Sequence, residues 1–248
     1  MSCRVEAFEA GSAAWRTAGD ARVFASFERC CYVETAAGIM CLGGAGLGRG
    51  PLNVLVNAYS HYSVGDRIEI DLSSAARWRP ELRLATHHSV PASIREPWRD
   101  RGEAQAFLRW ISGAGRPSDA LIGLGAGLTP AGDDFVGGAM IALRAAGELA
   151  LAERIAAWAL SLAETRTSRI SRAHLAWAAH GEGHEALHAL LASTEGSARF
   201  EQSLARLARI GHTSGLDAAA GALLALAARR GDSGLGPGLD LAEQQELD

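Results

Sequence analysis

The 248-residue sequence predicts an α+β chain, with a β-rich N-terminal domain over residues 1–95 followed by a C-terminal α-helical domain over residues 121–232. Three observations predict it. Apolar and polar residues alternate in the first part, the period of a half-buried strand. From Asp133 onward, apolar residues instead recur at helical spacing in an Ala- and Leu-rich background. The length suits one large domain or two small ones, and two are expected. Residues 96–120, with Pro97 and Pro117, read as a connecting segment, and residues 233–248, Gly-rich and then acidic, as a tail.

Ile68, Ile70 and Leu72 interleave with Arg67, Glu69 and Asp71, which marks a strand with one buried face. "CYVETAAGIMCL" predicts a hairpin turning near Ala36 to Gly38, and "PLNVLVNAY" a further strand after the loop "GGAGLGRG". A short helix is expected from Glu103 to Ile111 inside the connecting segment. Beyond it, the spacing predicts helices near 133–147, 149–164, 170–180, 184–193, 197–210 and 215–230, with Trp158, Trp177, Leu160 and Leu175 in the core.

Composition narrows the function. No apolar stretch is long enough for a membrane span, and the first 25 residues carry charges throughout, so a cytoplasmic chain without a membrane partner is expected. Cys3, Cys30, Cys31 and Cys41 lack zinc or redox spacing and read as free core thiols. A net charge of -4 without a basic block argues against nucleic acid. All 24 basic residues are arginine. A lysine-bound pyridoxal phosphate and a Walker A lysine are thereby excluded, and an anion must be held by backbone N–H groups, hydroxyls, histidines or arginines.

Three stretches could supply such groups. "GLGAGLTPAGDDFVGG", residues 123–138, holds six glycines, and its Thr-Pro pair is a helix-start signature with Thr129 as N-cap and Pro130 as first helical residue. Asp133 and Asp134 then fall near the positive end of the helix dipole. Gly125, Gly127 and Gly132 could bring backbone N–H groups to an anion, while Gly137 and Gly138 would let another backbone approach. The dinucleotide pattern GxGxxG fails, because Leu128 or Pro130 stands at its last glycine position, so no NAD site is expected. The aspartates could hold Mg²⁺ or orient a nucleophile, or merely cap the helix.

"GHTSGLDAAAG" sets Ser214 three residues before Asp217, a capping-box-like opening of the last helix, with His212 and Thr213 upstream. "TRTSRISRAHL" crowds Thr167, Ser168 and Ser171 at another helix start with Arg166, Arg169 and Arg172, which reads equally as a solvated loop capped by Ser168. If the three starts converge, they form a lysine-free anion pocket. Weaker candidates are Arg49 in the Gly-rich loop, the His87-His88 pair, and a zinc site from His180, His184 and His188, which Gly181 and Gly183 disfavour.

"GLTPAGDDFVGG", "TRTSRISRAHLAWAAHG" and "GHTSGLDAAAG", in this order, resemble the AllH-type subunit family of oxamate carbamoyltransferase, and "GRGPLNVLV" resembles the family's pattern in the β half. The family most often has Pro where Ala126 stands and Ser where Ala131 stands. The resemblance implies a place in anaerobic allantoin catabolism, where oxalurate and phosphate interconvert with oxamate and carbamoyl phosphate, and it implies partner subunits. The expectation is a transferase subunit with its anion at the helix start after Gly127. Asp133, Asp134 and His212 would be its catalytic residues, and Mg²⁺ its one cofactor if any. The rival is a non-catalytic binding or assembly subunit whose glycines serve helix packing. An enzyme should gather Asp133, Asp134, Ser214, Asp217 and His212 around one opening; a packing module should bury the glycines and scatter those side chains.

Overall fold

The computed structural model describes residues 3–85 and 89–232, so the His87-His88 pair and the tail lie outside the described residues. The chain divides into two compact units, residues 1–81 with 182–188, and residues 82–181 with 189 onward.

The first unit is the expected β domain. Its strands are β1 (Cys3–Gly11), β2 (Asp20–Ser26), β3 (Cys30–Thr35), β4 (Gly38–Gly44), β5 (Asn53–Val56), β6 (Arg67–Asp71) and β7 (Ala76–Trp78), with helix α1 (Ser12–Thr17) after β1. They pair in the order β5-β4-β3-β2-β6-β1-β7, and β5 also pairs with β1. That extra pairing closes six strands on themselves. β1 manages it by dividing its length, with Cys3 to Glu6 on β6 and Ala7 to Ala10 on β5 across a bulge. The β3–β4 hairpin pairs Thr35 with Gly38, as the sequence predicts. Period-2 alternation sends Val23, Val33, Leu42, Val54, Ile68 and Ile70 into one apolar core. Cys31 and Cys41 are buried free thiols and Cys30 is a half-buried one.

Residues 182–188 complete this unit. Arg49 pairs with Glu9 at 2.9 Å and with Glu185 at 3.5 Å, and the Glu185 N–H donates to Arg49 O at 2.9 Å. The zinc reading fails here on geometry. His188 Nε2 accepts the Gly183 N–H at 3.1 Å, His184 Nδ1 accepts the Ala186 N–H at 3.1 Å, and His184 Nε2 lies 3.2 Å from Leu47 O. Burial also pulls the His188 imidazole down to about pH 4.

The second unit is helical, with α2 (Ala92–Arg99), α3 (Gly102–Ser112), α4 (Ala131–Ala145), α5 (Leu149–Arg166), α6 (Arg169–Ala178), the end of α7 (Glu185–Leu191), α8 (Ala198–Leu207) and α9 (Ser214–Arg229). Residues 96–120 are more structured than a connector, because Trp98, Phe107, Leu108 and Ile111 are buried in this unit. Trp98 stacks on Phe135 with centroids 4.2 Å apart, and Phe107 stacks on Trp158 at 5.7 Å. Leu175 is in the core, whereas Leu160, Trp158 and Trp177 are half-buried. Among the described residues, no helix is long and apolar enough to cross a membrane.

The centre of this unit is the α4–α9 pair. Start lies beside start, with Thr129 Oγ1 2.9 Å from Ser214 Oγ, and further along Phe135 and Gly138 face Gly221 and Ala218. The two helices therefore run in the same direction. Their approach needs glycine: a Cβ on Gly138 would lie 1.9 Å from Ala218 O, and one on Gly221 would lie 1.8 Å from Phe135 O. Side chains such as Ala139, Ala142, Ala219 and Ala222, all fully buried, fill the rest of the seam.

Candidate functional site at paired helix starts

The loop of residues 123–130 carries the chain into α4. Gly123 and Gly125 have φ of 82° and 113°, a left-handed backbone that glycine adopts without strain. Residues 125–128 are exposed, so their backbone faces solvent. The helix begins at Ala131 with Pro130 as N-cap and no side-chain cap, one residue later than the Thr-Pro signature suggests. Thr129 does not cap because its hydroxyl is bonded to Ser214 of the neighbouring start. At α9 the N-cap is Thr213, also without a side-chain cap bond, and Ser214 is the first helical residue rather than the cap. Ser168 does cap α6, accepting the Ser171 N–H at 3.0 Å.

The two adjacent aspartates face different neighbours. Asp133 is 2 % exposed and fully occupied. Its Oδ1 accepts the Gly123 N–H at 2.8 Å, and its Oδ2 accepts from Ser171 Oγ at 2.6 Å and from Thr167 Oγ1. Asp133 thus ties the glycine loop and the α6 start to α4. Three donors converge on its two oxygens, so in this structure it serves as a strut. Thr167 and Ser171 are bonded to it, and Ser168 Oγ is shared with Leu128 O. Gly132 donates its N–H to Leu124 O at 2.9 Å, and its Cα packs so closely that a Cβ would lie 1.9 Å from Leu121 O. These residues build the site's wall.

Asp134 is the unsatisfied partner. Its Oδ2 is buried without a hydrogen bond among the described residues. Burial pushes its carboxyl well above the usual range, helped by the negative charges of Asp217 and Asp133 and offset by the Ser214 hydroxyl. Asp217, 8 % exposed, repeats the pattern. Its Oδ1 accepts the Trp98 indole N–H at 3.1 Å, while its Oδ2 is buried with no partner among the described residues. Burial raises Asp217 too, against the opposing pull of Thr213, Trp98 and the Arg101 charge. The Arg101 guanidinium lies over the Trp98 ring at 5.0 Å from its centroid.

Two helix starts, two hydroxyls and two underused carboxyls therefore meet in one place. His212 is exposed in the turn before α9. Trp98 and Arg101 escape the sequence reading, because "EPWRD" carries no spacing that ties it to a helix start about 120 residues away. Among the described residues, no three His, Cys, Asp or Glu side chains gather as a metal ligand set. The Asp133–Asp134–Asp217 group is instead split between a satisfied strut and an unsatisfied pair.

Residues 121–226 match the family model of the oxamate carbamoyltransferase subunit AllH. Apart from residues 182–188, the match lies in the helical unit. The match holds all three motifs on which the resemblance rests, from the glycine loop through the α6 start to Gly221, so the paired starts lie inside the AllH-type region. Trp98 and Arg101 lie outside it, as does the β barrel. No curated protein and no solved structure matches the chain.

Proposed function

We propose that the chain is a subunit of a carbamoyltransferase that acts on oxamate, and that it holds the small anion at the paired starts of α4 and α9. The observation that carries this reading is the meeting of two helix starts, with Thr129 and Ser214 in contact, inside the segment that matches the AllH model. Two parallel dipoles ending together favour negative charge there more than one does. The exposed backbone of Gly125 and Gly127 and the hydroxyls of Thr129, Thr213 and Ser214 add donors without lysine.

In the transfer, the amide nitrogen of oxamate attacks the carbamoyl carbon of carbamoyl phosphate. The new N–C bond forms as the C–O bond to phosphate breaks, and the proton lost from nitrogen leaves with hydrogen phosphate. Helix-start donors stabilise the carbonyl oxyanion of that step. His212, in its exposed turn, is the titratable group outside the buried pair and serves as the proton exchanger with solvent. Partner subunits complete the enzyme.

The purified chain with its partner subunits should release phosphate from carbamoyl phosphate when oxamate is supplied. A Thr129→Val/Ser214→Ala variant should lower that rate at least tenfold. An assembled complex that releases no oxamate-dependent phosphate overturns the reading.

A further inference from the structure

We infer that Asp134 and Asp217, equivalent residues of a duplicated helix start, form a paired-carboxyl site for a primary amide, the –CO–NH₂ end of a small carboxylate. This deepens the carbamoyltransferase reading and rests on it.

The duplication comes from reciprocal packing. Gly138 meets the carbonyl of Ala218 and Gly221 meets the carbonyl of Phe135, so each glycine faces the residue three positions before the other. Superposing the two halves of that contact sets residues 132–143 on 215–226, an offset of 83. Six of the twelve aligned positions are identical: Gly132 with Gly215, Asp134 with Asp217, Gly138 with Gly221, Ala139 with Ala222, Ala142 with Ala225, and Leu143 with Leu226. Gly132 and Gly215 share a role as well, for a Cβ on either would strike a preceding loop or helix carbonyl, Leu121 O at 1.9 Å or Leu207 O at 2.1 Å. Asp133 has no counterpart, since Leu216 stands in its place. The paired helices thus present one carboxyl each, on either side of a pseudo-two-fold axis.

Each member leaves one carboxyl oxygen buried and without a partner among the described residues. An unsatisfied buried acceptor is rare, and its repetition at two equivalent positions calls for a group that satisfies both. Two carboxyls sharing a desolvated place cannot both ionise cheaply, so one retains its proton. The Trp98 indole and the Arg101 charge stabilise the Asp217 anion. Among the described residues, Asp134 has only the Ser214 hydroxyl beside it and no such N–H or cation, so the proton rests there. The pair therefore offers an O–H donor on Asp134 beside an acceptor on Asp217. A primary amide is its complement: the carbonyl accepts from Asp134 while the N–H donates to Asp217. The same contacts turn the amide nitrogen of oxamate toward a carboxylate. A dicarboxylate has no N–H to give and adds charge to an acidic place, so it should be refused.

The test is calorimetric titration of the full chain, alone and with its partner subunits, using oxamate, N,N-dimethyloxamate, oxalate and inorganic phosphate. Oxamate should bind at least tenfold more tightly than N,N-dimethyloxamate or oxalate. Asp217→Asn, which removes the anionic acceptor, and Asp134→Leu, which removes the donor, should each weaken oxamate at least tenfold and leave phosphate within threefold. Equal binding of oxamate and its dimethyl analogue overturns the assignment, and that comparison needs no variant. Unchanged oxamate affinity in both variants overturns it as well, as does Mg²⁺ alone binding the wild type and losing affinity in those variants. The carbamoyltransferase reading survives any of these results provided that the assembled complex still releases oxamate-dependent phosphate, and fails separately if it does not.

Discussion

Gly137 and Gly138 are adjacent in α4, yet replacing each by alanine should move stability in opposite directions. A Cβ on Gly138 would lie 1.9 Å from Ala218 O, with Ala218 C at 2.7 Å and Ala218 Cα at 2.9 Å, so the obstruction is backbone. Ordinary contact needs about 3.5 Å, so the helices must part by roughly 1.5 Å along that direction. Parting opens a seam whose Ala139, Ala142, Ala219 and Ala222 are fully buried. Overpacking of this kind costs about 3 kcal/mol, and the gain in helix propensity returns about 1 kcal/mol, for a net loss of about 2 kcal/mol. A Cβ on Gly137 would instead meet Ala178 Cβ at 3.6 Å, a normal contact, so the propensity gain stands nearly undiminished at about 0.5–1 kcal/mol. Thermal and guanidinium unfolding should show Gly138→Ala lowered by about 4–8 °C and Gly137→Ala raised by about 1–4 °C. Gly221→Ala should match Gly138→Ala, because its Cβ would lie 1.8 Å from Phe135 O. The double variant should cost less than the two singles together, since one substitution already parts the helices. Shifts of the same sign at 137 and 138, or a Gly138→Ala variant within about 1 °C of wild type, would refute the reciprocal packing and the two-fold relation built on it.

Asp134→Asn should stabilise the chain by about 1–2 kcal/mol at pH 7.5, because an amide needs neither loss of charge hydration nor uptake of a proton on burial. A carboxyl raised in the folded state favours folding less as pH climbs above its unfolded value near 4, so the gain should shrink toward pH 4.5; a gain that grows on acidification contradicts this. Asp133→Ala should do the reverse and cost about 3 kcal/mol, since three donors, Gly123 N–H, Thr167 Oγ1 and Ser171 Oγ, lose their acceptor; equal unfolding midpoints would show the strut to be dispensable. In the β unit, His188 is depressed from 6.5 to about 4 by burial, so its share of stability is present above pH 6.5 and lost as pH falls toward 4, about 3 kcal/mol in all. His188→Gln should flatten that acid limb in denaturant titrations, and an unchanged slope would show that another group sets it.

The helices were legible because their period is local. The spacing predicts 149–164 and 215–230, and α5 spans Leu149–Arg166 and α9 spans Ser214–Arg229. The hairpin was legible for the same reason. Barrel closure was not, since it depends on β1 dividing between β6 and β5, a choice made by strands more than 40 residues away. Within the site, residue types were readable and partners were not. Thr129 before Pro130 has the sequence of a cap, but Ser214, 85 residues on, takes its hydroxyl. Asp133 and Asp134 are indistinguishable in sequence. One helical step, about 100° of rotation, separates an aspartate aimed at the α6 start from one aimed at α9. Trp98, joined to Asp217 across 119 residues, left no local trace at all.

The glycines of "GLGAGLTPAGDDFVGG" pose an alternative, ligand loop or packing device, and under the proposed function one α4–α9 pair serves both. Gly138 and Gly221 serve packing. Their effect, however, is to bring two helices of like direction so close that Thr129 and Ser214 touch at their starts. Parallel dipoles so near repel end to end, and nearby negative charge relieves that repulsion. Asp134 and Asp217 supply such charge only in part, because burial in the same seam opposes ionising both. Close packing thereby produces the positive field that attracts an anion and the acid pair that cannot itself neutralise that field. A wider seam would relax both, since looser helices admit water to each carboxyl. Stability and ligand affinity should accordingly move together in Gly138→Ala and oppositely in Asp134→Leu, and that contrast separates a seam that makes the site from one that merely lies beneath it.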